Sequence, residues 1–264
     1  MSKWSYYASS IPTLLGGVKS WGALARLPFQ GASSPPIFVE LRDGSRFLVR
    51  SVMDLWIVKE TCLDRVYEEG ALALGAGSVV VDIGAGLGDF TIRAARAFPG
   101  CRVFAFEPFA ESFRLLEQNL ALNGVSGVQA LPVAIGARSG PMTLGTATGV
   151  AVQHSTAAAG VREDPTAAIR VDGLSLDDAF RKLDISRCDL LKVDCEGGEY
   201  DIFFHAAPAT LKKIHRIAME YHDGVTEHSH AELVDFLSRH GFTVRIRPNP
   251  VHANIGMLYA KSES

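Results

Sequence analysis

Residues 79–88 read VVVDIGAGLG, a short apolar run followed by glycines at every second position. An apolar run of this length is typical of a parallel strand that is covered on both faces. Glycines directly after such a strand let the chain turn tightly and let a ligand approach the backbone without meeting a Cβ atom. A helix is predicted from Phe90 to Phe98, and its free amino-terminal N–H groups would face the same place. The stretch therefore predicts a strand, a ligand-binding loop and a helix.

Strand and helix patterns continue to alternate after this unit, which predicts an α/β fold with a mostly parallel sheet covered by helices on both faces. The predicted strands are 102–106, 128–133, 190–194 and 217–221, with a terminal strand pair at 243–247 and 256–261. The predicted helices are 108–122, 175–183 and 229–240. Before them, a hairpin is predicted around Asp43-Gly44, and a helix from Met53 to Glu69.

This pattern divides the chain into a helical and hairpin extension, residues 1–70, and a Rossmann-like domain, residues 71–264. The stretch 136–173 interrupts the alternation with Gly, Thr, Ser and Ala, which predicts a β-rich or mobile insertion. Residues 1–36 and 137–172 contain none of the binding motifs. We therefore expect them to form a lid over the acceptor pocket.

The loop itself indicates which ligand it binds. In a dinucleotide loop counted from Gly84, the third glycine would fall at position 89, which is Asp89, and a carboxylate there would repel a pyrophosphate. Asp82 lies just before the loop and would favour a cationic ligand. S-adenosylmethionine carries a sulfonium and an ammonium and has no phosphate, so it suits these surroundings better than NAD.

Glu107 ends the second predicted strand, 21 residues after Gly86. An acidic side chain at this point can accept hydrogen bonds from both ribose hydroxyls of an adenosine ligand. The feature fits NAD and S-adenosylmethionine equally, so it predicts an adenosine cofactor without choosing between them.

Acidic residues also follow the two later strands of the predicted sheet. Residues 192–199 read KVDCEGGE, and the next strand ends in Glu220-Tyr-His222. Ligands of open α/β sheets bind outside the carboxyl ends of the strands, so Asp194 and Glu196 should border the pocket. Mutually repulsive carboxylates persist best beside a cation. Asp194, Glu220 and His222 are therefore predicted to form either a general-base group or a divalent metal site, whereas His228 and His230 should only flank a helix start.

These motifs together resemble the FkbM family of S-adenosylmethionine-dependent methyltransferases, from the Asp43-Gly44 hairpin to the last strand. The resemblance is carried by DIGAGLGDFT at 82–91, FEP at 106–108, VAIG at 133–136, LD at 176–177, LKVDCEGGE at 191–199 and MEYH at 219–222. It implies a class I methyltransferase fold with seven strands and an antiparallel C-terminal hairpin. It also implies S-adenosylmethionine as the cofactor, held by Asp82, Gly84, Ala85, Gly86, Glu107, Pro108, Ala134 and Asp194.

The expected reaction is methylation of a hydroxyl on a secondary metabolite or sugar, with Asp194 or His222 as the base and Glu220 orienting it or sharing a metal. The alternatives are N-methylation, a nicotinamide oxidoreductase and a non-catalytic adenosine-binding module. A net charge of −3 does not favour nucleic acid as a partner, and no apolar stretch is long enough for a membrane span. Four unpaired-looking cysteines and the lack of a signal peptide predict a cytoplasmic protein; a homodimer stays an open alternative.

Overall fold

The structure is a computed structural model that describes residues 10–31, 34–69, 74–145 and 168–263. Its strands are β1 (Ile37–Glu40), β2 (Arg46–Val49), β3 (Val79–Ile83), β4 (Arg102–Phe106), β5 (Val128–Leu131), β6 (Ala134–Gly136), β7 (Gly140–Gly145), β8 (Ala168–Ser175), β9 (Leu190–Val193), β10 (Arg216–His222), β11 (Phe242–Pro248) and β12 (Ile255–Ser262). Its helices are Ile11–Gly17, Trp21–Leu24, Val52–Val58, Asp89–Ala97, Ala110–Asn123, Leu176–Lys182, Glu199–Phe204, Pro208–Leu211 and His230–Arg239.

Seven strands form the main sheet in the order β11-β12-β10-β9-β3-β4-β5. The strands from β10 to β5 are parallel to one another, and β12 is antiparallel to both of its neighbours. The predicted seven-stranded, mostly parallel sheet with an antiparallel C-terminal hairpin is therefore confirmed. The strand order reverses beside β3, which places the carboxyl ends of β3, β4 and β9 around one crevice.

The core follows from the composition of the central strands. Val81 in β3 and Leu191 and Val193 in β9 are fully buried, as expected for strands that helices cover on both faces. The four helices predicted at 90–98, 108–122, 175–183 and 229–240 begin and end within two residues of their predicted positions. Ser175 caps its helix by accepting a hydrogen bond from the Asp178 N–H, and Ser229 and Glu232 form a capping box.

The helix predicted from Met53 to Glu69 is shorter in the structure. The α-helix Val52–Val58 continues as a single π-helical turn, Lys59–Leu63, and ends there. Arg65 adopts a left-handed conformation, with φ of 57°, which a helix cannot continue through. The prediction was wrong for the last six residues, because apolar spacing alone does not reveal this break.

The hairpin around Asp43-Gly44 is confirmed, with β1 and β2 paired antiparallel. Its buried Val39 and Phe47 share a hydrophobic cluster with Leu87, Ile92 and Leu115 of the following domain. The hairpin is thus packed on the domain that holds the glycine loop. The division at residue 70 stays a prediction.

The predicted insertion contains a second, three-stranded sheet in the order β6-β8-β7. The strand predicted from Val128 to Val133 ends at Leu131, because Pro132 lacks an N–H and the chain then enters β6, which pairs with β8. Residues 1–9, 32–33 and 146–167 lie outside the described residues, so the predicted lid is only partly described and stays a prediction.

Candidate active site

The glycine loop lies between the end of β3 and the helix Asp89–Ala97. Gly84 has a φ of 74°, and a Cβ atom there would lie 1.8 Å from the carbonyl oxygen of Asp194, so the loop touches the end of β9. Gly86 has a φ of 54°, but a Cβ atom there would meet no atom of the described residues within 4 Å. The loop therefore packs against the sheet at Gly84 and leaves open space at Gly86, where a ligand can approach the backbone.

Glu107 lies beside this open space, at the end of β4. Its Oε2 accepts a hydrogen bond from the Gly86 N–H at 2.8 Å, and its Oε1 accepts one from the Phe109 N–H at 2.9 Å. Burial raises the pKa of Glu107 to about 7, although the two N–H donors act in the opposite direction. The structure thus brings Glu107 to the glycine loop, while its predicted contact with a ribose stays a prediction.

Three other predicted cofactor residues are buried. Asp82 is fully buried, and Ala85 and Ala134 are 1% and 3% exposed, with Ala134 opening β6 of the smaller sheet. Pro108 is half-buried next to Glu107. Of these four, only Pro108 therefore presents much accessible surface in this structure.

Asp82 and Lys192 form a buried ion pair below the loop. The register of β3 and β9 places the two residues opposite each other, and Lys192 Nζ lies 3.1 Å from Asp82 Oδ1 without hydrogen-bond geometry. Asp82 Oδ2 accepts a hydrogen bond from the Thr91 hydroxyl at 2.6 Å. Burial opposes the charge on Lys192, but the neighbouring carboxylates of Asp82 and Asp194 raise its pKa above the usual value. The charge of Asp82 is therefore already compensated inside the protein.

Lys192 also holds the glycine loop in place. Its ammonium donates a hydrogen bond to the carbonyl oxygen of Gly84 at 2.6 Å. It lies 5.3 Å from the centre of the Tyr67 ring, and the Tyr67 hydroxyl donates to Asp194 Oδ2 at 2.8 Å. The sequence analysis assigned no role to Lys192 or Tyr67. For Lys192 a signal was available, because the predicted parallel strands at 79–83 and 190–194 can place it beside Asp82.

Glu199 orients His222 from the buried side of the site. Its Oε1 accepts a hydrogen bond from the His222 N–H at 2.7 Å and lies 3.2 Å from His222 Nδ1. His222 Nε2 lies 3.5 Å from Glu196 Oε2, and Glu196 has a left-handed φ of 51°. Burial lowers the pKa of His222, but Glu199, Glu196 and Glu220 outweigh it and raise the pKa to about 10. The neighbouring carboxylates therefore favour the protonated form of the imidazole.

Asp194, Glu220 and His222 come together as their sequence positions suggested. One potential ligand atom from each lies within 4.8 Å of the others. Burial and the charge of Asp194 raise the pKa of Glu220 to about 8. The roles of these residues as a base or as metal ligands stay predictions.

The two other histidines of this region are engaged elsewhere. His230 contacts Asp223 through Nδ1 and stacks on Tyr221, and His228 Nδ1 lies 3.5 Å from Glu232. They flank the start of the helix His230–Arg239, as predicted.

A cleft of about 120 Å³ borders the cluster. Its lining includes Tyr67, Asp194 and Glu220 together with residues 247–250 of the C-terminal hairpin. It is large enough for a reacting group and its immediate neighbours, although not for a whole metabolite.

The described residues contain no helix that combines the length and apolar character needed to cross a bilayer. The cytoplasmic location, the exclusion of nucleic acid and the oligomeric state stay predictions.

Comparison with known proteins identifies the family. The model of the methyltransferase FkbM domain matches residues 82–244, which is more than half of the chain. The antimetabolite synthetase AmbE of Pseudomonas aeruginosa is 30% identical over 246 residues, covering 79% of this chain but only 12% of AmbE. The 31-O-demethyl-FK506 methyltransferase FkbM of Streptomyces tacrolimicus is 26% identical, covering 75% of this chain and 85% of that protein.

Among solved structures, the methyltransferase FkbM of Methylobacillus flagellatus superposes with a TM-score of 0.49 and 16% identity, over 78% of this chain and 53% of that one. The family match and the strand order agree. The chain belongs to the FkbM family of methyltransferases, has the class I methyltransferase fold, and uses S-adenosylmethionine.

Proposed function

We propose that this FkbM-family methyltransferase transfers the methyl group of S-adenosylmethionine to a hydroxyl of a small molecule, a secondary metabolite or a sugar. The observation that carries the proposal is the cluster of Asp194, Glu220 and His222 beside the cleft, next to the glycine loop. A relative that is 26% identical carries in its name an O-demethyl compound as substrate, which supports a hydroxyl acceptor. Because fold alone does not determine the acceptor, the proposal is based on the geometry of the site.

The residues present fit the cofactor. The open space at Gly86 admits a ligand to the backbone, and the Glu107 carboxylate beside it can accept hydrogen bonds from ribose hydroxyls. Asp194 lies at the carboxyl end of β9, where the methionine part of the cofactor would reach the acceptor cleft. Asp82 would act through Lys192, which holds the loop, rather than by touching the cofactor.

When bound, S-adenosylmethionine would supply an electrophilic methyl group on its sulfonium: the acceptor oxygen would bond to the methyl carbon while the bond from that carbon to sulfur breaks, and the electron pair of that bond would stay on sulfur as a neutral thioether. The hydroxyl proton passes to the Asp194 carboxylate, because burial and the charge of Asp194 raise the pKa of Glu220 and so favour its protonated form. His222 is the less suitable acceptor, because the surrounding carboxylates raise its pKa and favour the protonated imidazole.

Membership in a methyltransferase family excludes two alternatives that the sequence left open, a nicotinamide oxidoreductase and a non-catalytic adenosine-binding module. N-methylation within the family is the remaining alternative. An acidic cleft could also hold an ammonium group, so the two acceptors must be separated by experiment.

The proposal is tested with cofactor labelled at the methyl carbon with carbon-13. We would offer it with hydroxylated polyketides and sugars, with their amino analogues, and with transcripts of tRNA and rRNA. We expect the label in an O-methyl group of a small molecule, which carbon-13 NMR distinguishes from N-methyl by its chemical shift. Label found only on nitrogen or only in RNA would refute the proposal.

Glu107→Ala should weaken binding of S-adenosylhomocysteine by about 10- to 150-fold, since hydrogen bonds to a charged group contribute about 1.5–3 kcal/mol. The measurement is calorimetric titration. Glu117→Ala is the matched control, because Glu117 is exposed on the neighbouring helix Ala110–Asn123. Equal affinities of the two variants would remove Glu107 from the cofactor site.

A further inference from the structure

We infer that Asp194, Glu220 and His222 bind a divalent cation, which in turn binds the acceptor hydroxyl. The ion site stands on the geometry of these side chains, and only the role of the ion in catalysis rests on the proposed O-methylation. The two parts can therefore fail separately.

The three side chains meet because their strands are neighbours. Met219 in β10 pairs with Val193 in β9, so Glu220 and Asp194 follow at the same level of the sheet, and His222 comes two residues later on the same strand. Their potential ligand atoms lie within 4.8 Å of one another. A set of two carboxylates and one imidazole suits first-row divalent ions such as Mn²⁺, Co²⁺ or Zn²⁺.

The orientation of His222 is an independent observation that points to a ligand. Glu199 is fully buried, lies outside the three ligands and holds Nδ1, so the imidazole presents Nε2 to the other carboxylates. Within the described ranges 10–31, 34–69, 74–145 and 168–263, Nε2 has no hydrogen bond and has a long ion-pair contact, 3.5 Å to Glu196 Oε2, although the side chain is 4% exposed. A histidine that binds a metal almost always donates its second N–H to a carboxylate in this way.

The charge around the cluster also favours a cation. Asp194, Glu196 and Glu220 bring three carboxylates to the site, and within the residues that the structure describes Glu220 has neither an ion pair nor a hydrogen bond. Lys192 pairs with Asp82, and His222 lies between Glu199 and Glu196. A divalent ion would offset the remaining negative charge, which burial makes costly.

A cation there would also answer a chemical need. An alcohol is a weak nucleophile at neutral pH, and a carboxylate is a weak base for it. An ion held by three protein ligands keeps open positions, and the cleft beside Asp194 and Glu220 gives an acceptor oxygen access to them. Binding to the ion would lower the pKa of the hydroxyl, so that a weak base suffices to take its proton.

The ion site is tested by titrating the chelator-treated full chain with Co²⁺ and following its visible absorption. We expect one equivalent to bind, with d–d bands that report the imidazole and carboxylate ligands. His222→Gln and the less buried Glu220→Gln should each weaken binding by at least about 100-fold, and Glu199→Gln, a positioning residue, by about 10- to 100-fold. His215→Gln, an exposed histidine, is the control that should bind like the wild type.

Failure of wild-type protein to bind Co²⁺, or equal binding by a folded Glu220→Gln variant, would overturn the ion site. Circular dichroism of each variant establishes that it is folded. If Co²⁺ binds as expected but chelation leaves O-methylation unchanged, the catalytic role of the ion is overturned while the site stands. If the methyl label never reaches oxygen, the proposed function fails, and metal binding is unaffected.

Discussion

Replacing Lys192 by methionine should lower the free energy of unfolding by about 3–5 kcal/mol, which is a large part of the stability of a typical domain. Methionine fills a similar volume but removes the ammonium that lies 3.1 Å from Asp82 and 2.6 Å from the Gly84 carbonyl oxygen. Among the residues that the structure describes, the fully buried Asp82 carboxylate would then keep only the Thr91 hydroxyl as a partner. Breaking a buried pair by removing one partner is costly because a buried charge is left uncompensated.

Urea denaturation of the variant measures this loss. Lys19→Met is the matched control, because Lys19 is 62% exposed and pairs with Glu40 at the surface, where such a pair contributes about 0–1 kcal/mol. In the double variant Lys192→Met, Asp82→Asn, the two losses should not add, since the second change removes the stranded charge. A loss in Lys192→Met no larger than that in Lys19→Met would contradict a structural role for the pair.

Asp194→Asn should lower kcat by about 100- to 10,000-fold, the usual contribution of a proton acceptor placed at the reacting group. Asparagine keeps the shape of the side chain and can still accept the Tyr67 hydroxyl hydrogen bond. What it loses is the negative charge that receives the hydroxyl proton or binds the proposed ion. The same change tests the sequence-based expectation that Asp194 also contacts the cofactor.

Steady-state kinetics and a titration with S-adenosylhomocysteine separate the two roles. We expect the affinity for S-adenosylhomocysteine to stay within a few-fold of the wild type while kcat falls. Asp201→Asn, on the exposed face of the helix Glu199–Phe204, should leave both unchanged. An unchanged kcat would remove Asp194 from the chemistry, and a large loss of affinity alone would move it to the cofactor site.

Local patterns predicted most of the fold, because apolar runs, glycine stops and capping residues act within a few residues. The order of the strands in the sheet was not predicted and comes from the structure. The break of the helix at Leu63 was missed, because it depends on the left-handed Arg65, which has no sequence signal. Because of this error the contact of Tyr67 was also missed. The prediction placed Tyr67 inside a helix, whereas in the structure its hydroxyl donates a hydrogen bond to Asp194.

The sequence predicted which residues form the candidate site better than it predicted the contacts that these residues make. Asp82 was expected to face a cationic ligand, whereas the structure pairs it with Lys192 across two strands. Asp89 was expected to repel a pyrophosphate, but it is only 6% exposed, so its burial limits its contact with a ligand. For Asp82 the decisive contact comes from Lys192, a residue distant in the chain, which periodicity and spacing cannot reveal.

A crystal structure of the protein with S-adenosylhomocysteine tests the proposed cofactor site most directly. We expect the ribose hydroxyls to lie within hydrogen-bond distance of Glu107, the cofactor to pass over Gly86, and the sulfur to face the cleft lined by Asp194 and Glu220. A complex in which the sulfur points away from Asp194 and Glu220, or in which Glu107 does not touch the ribose, would contradict it.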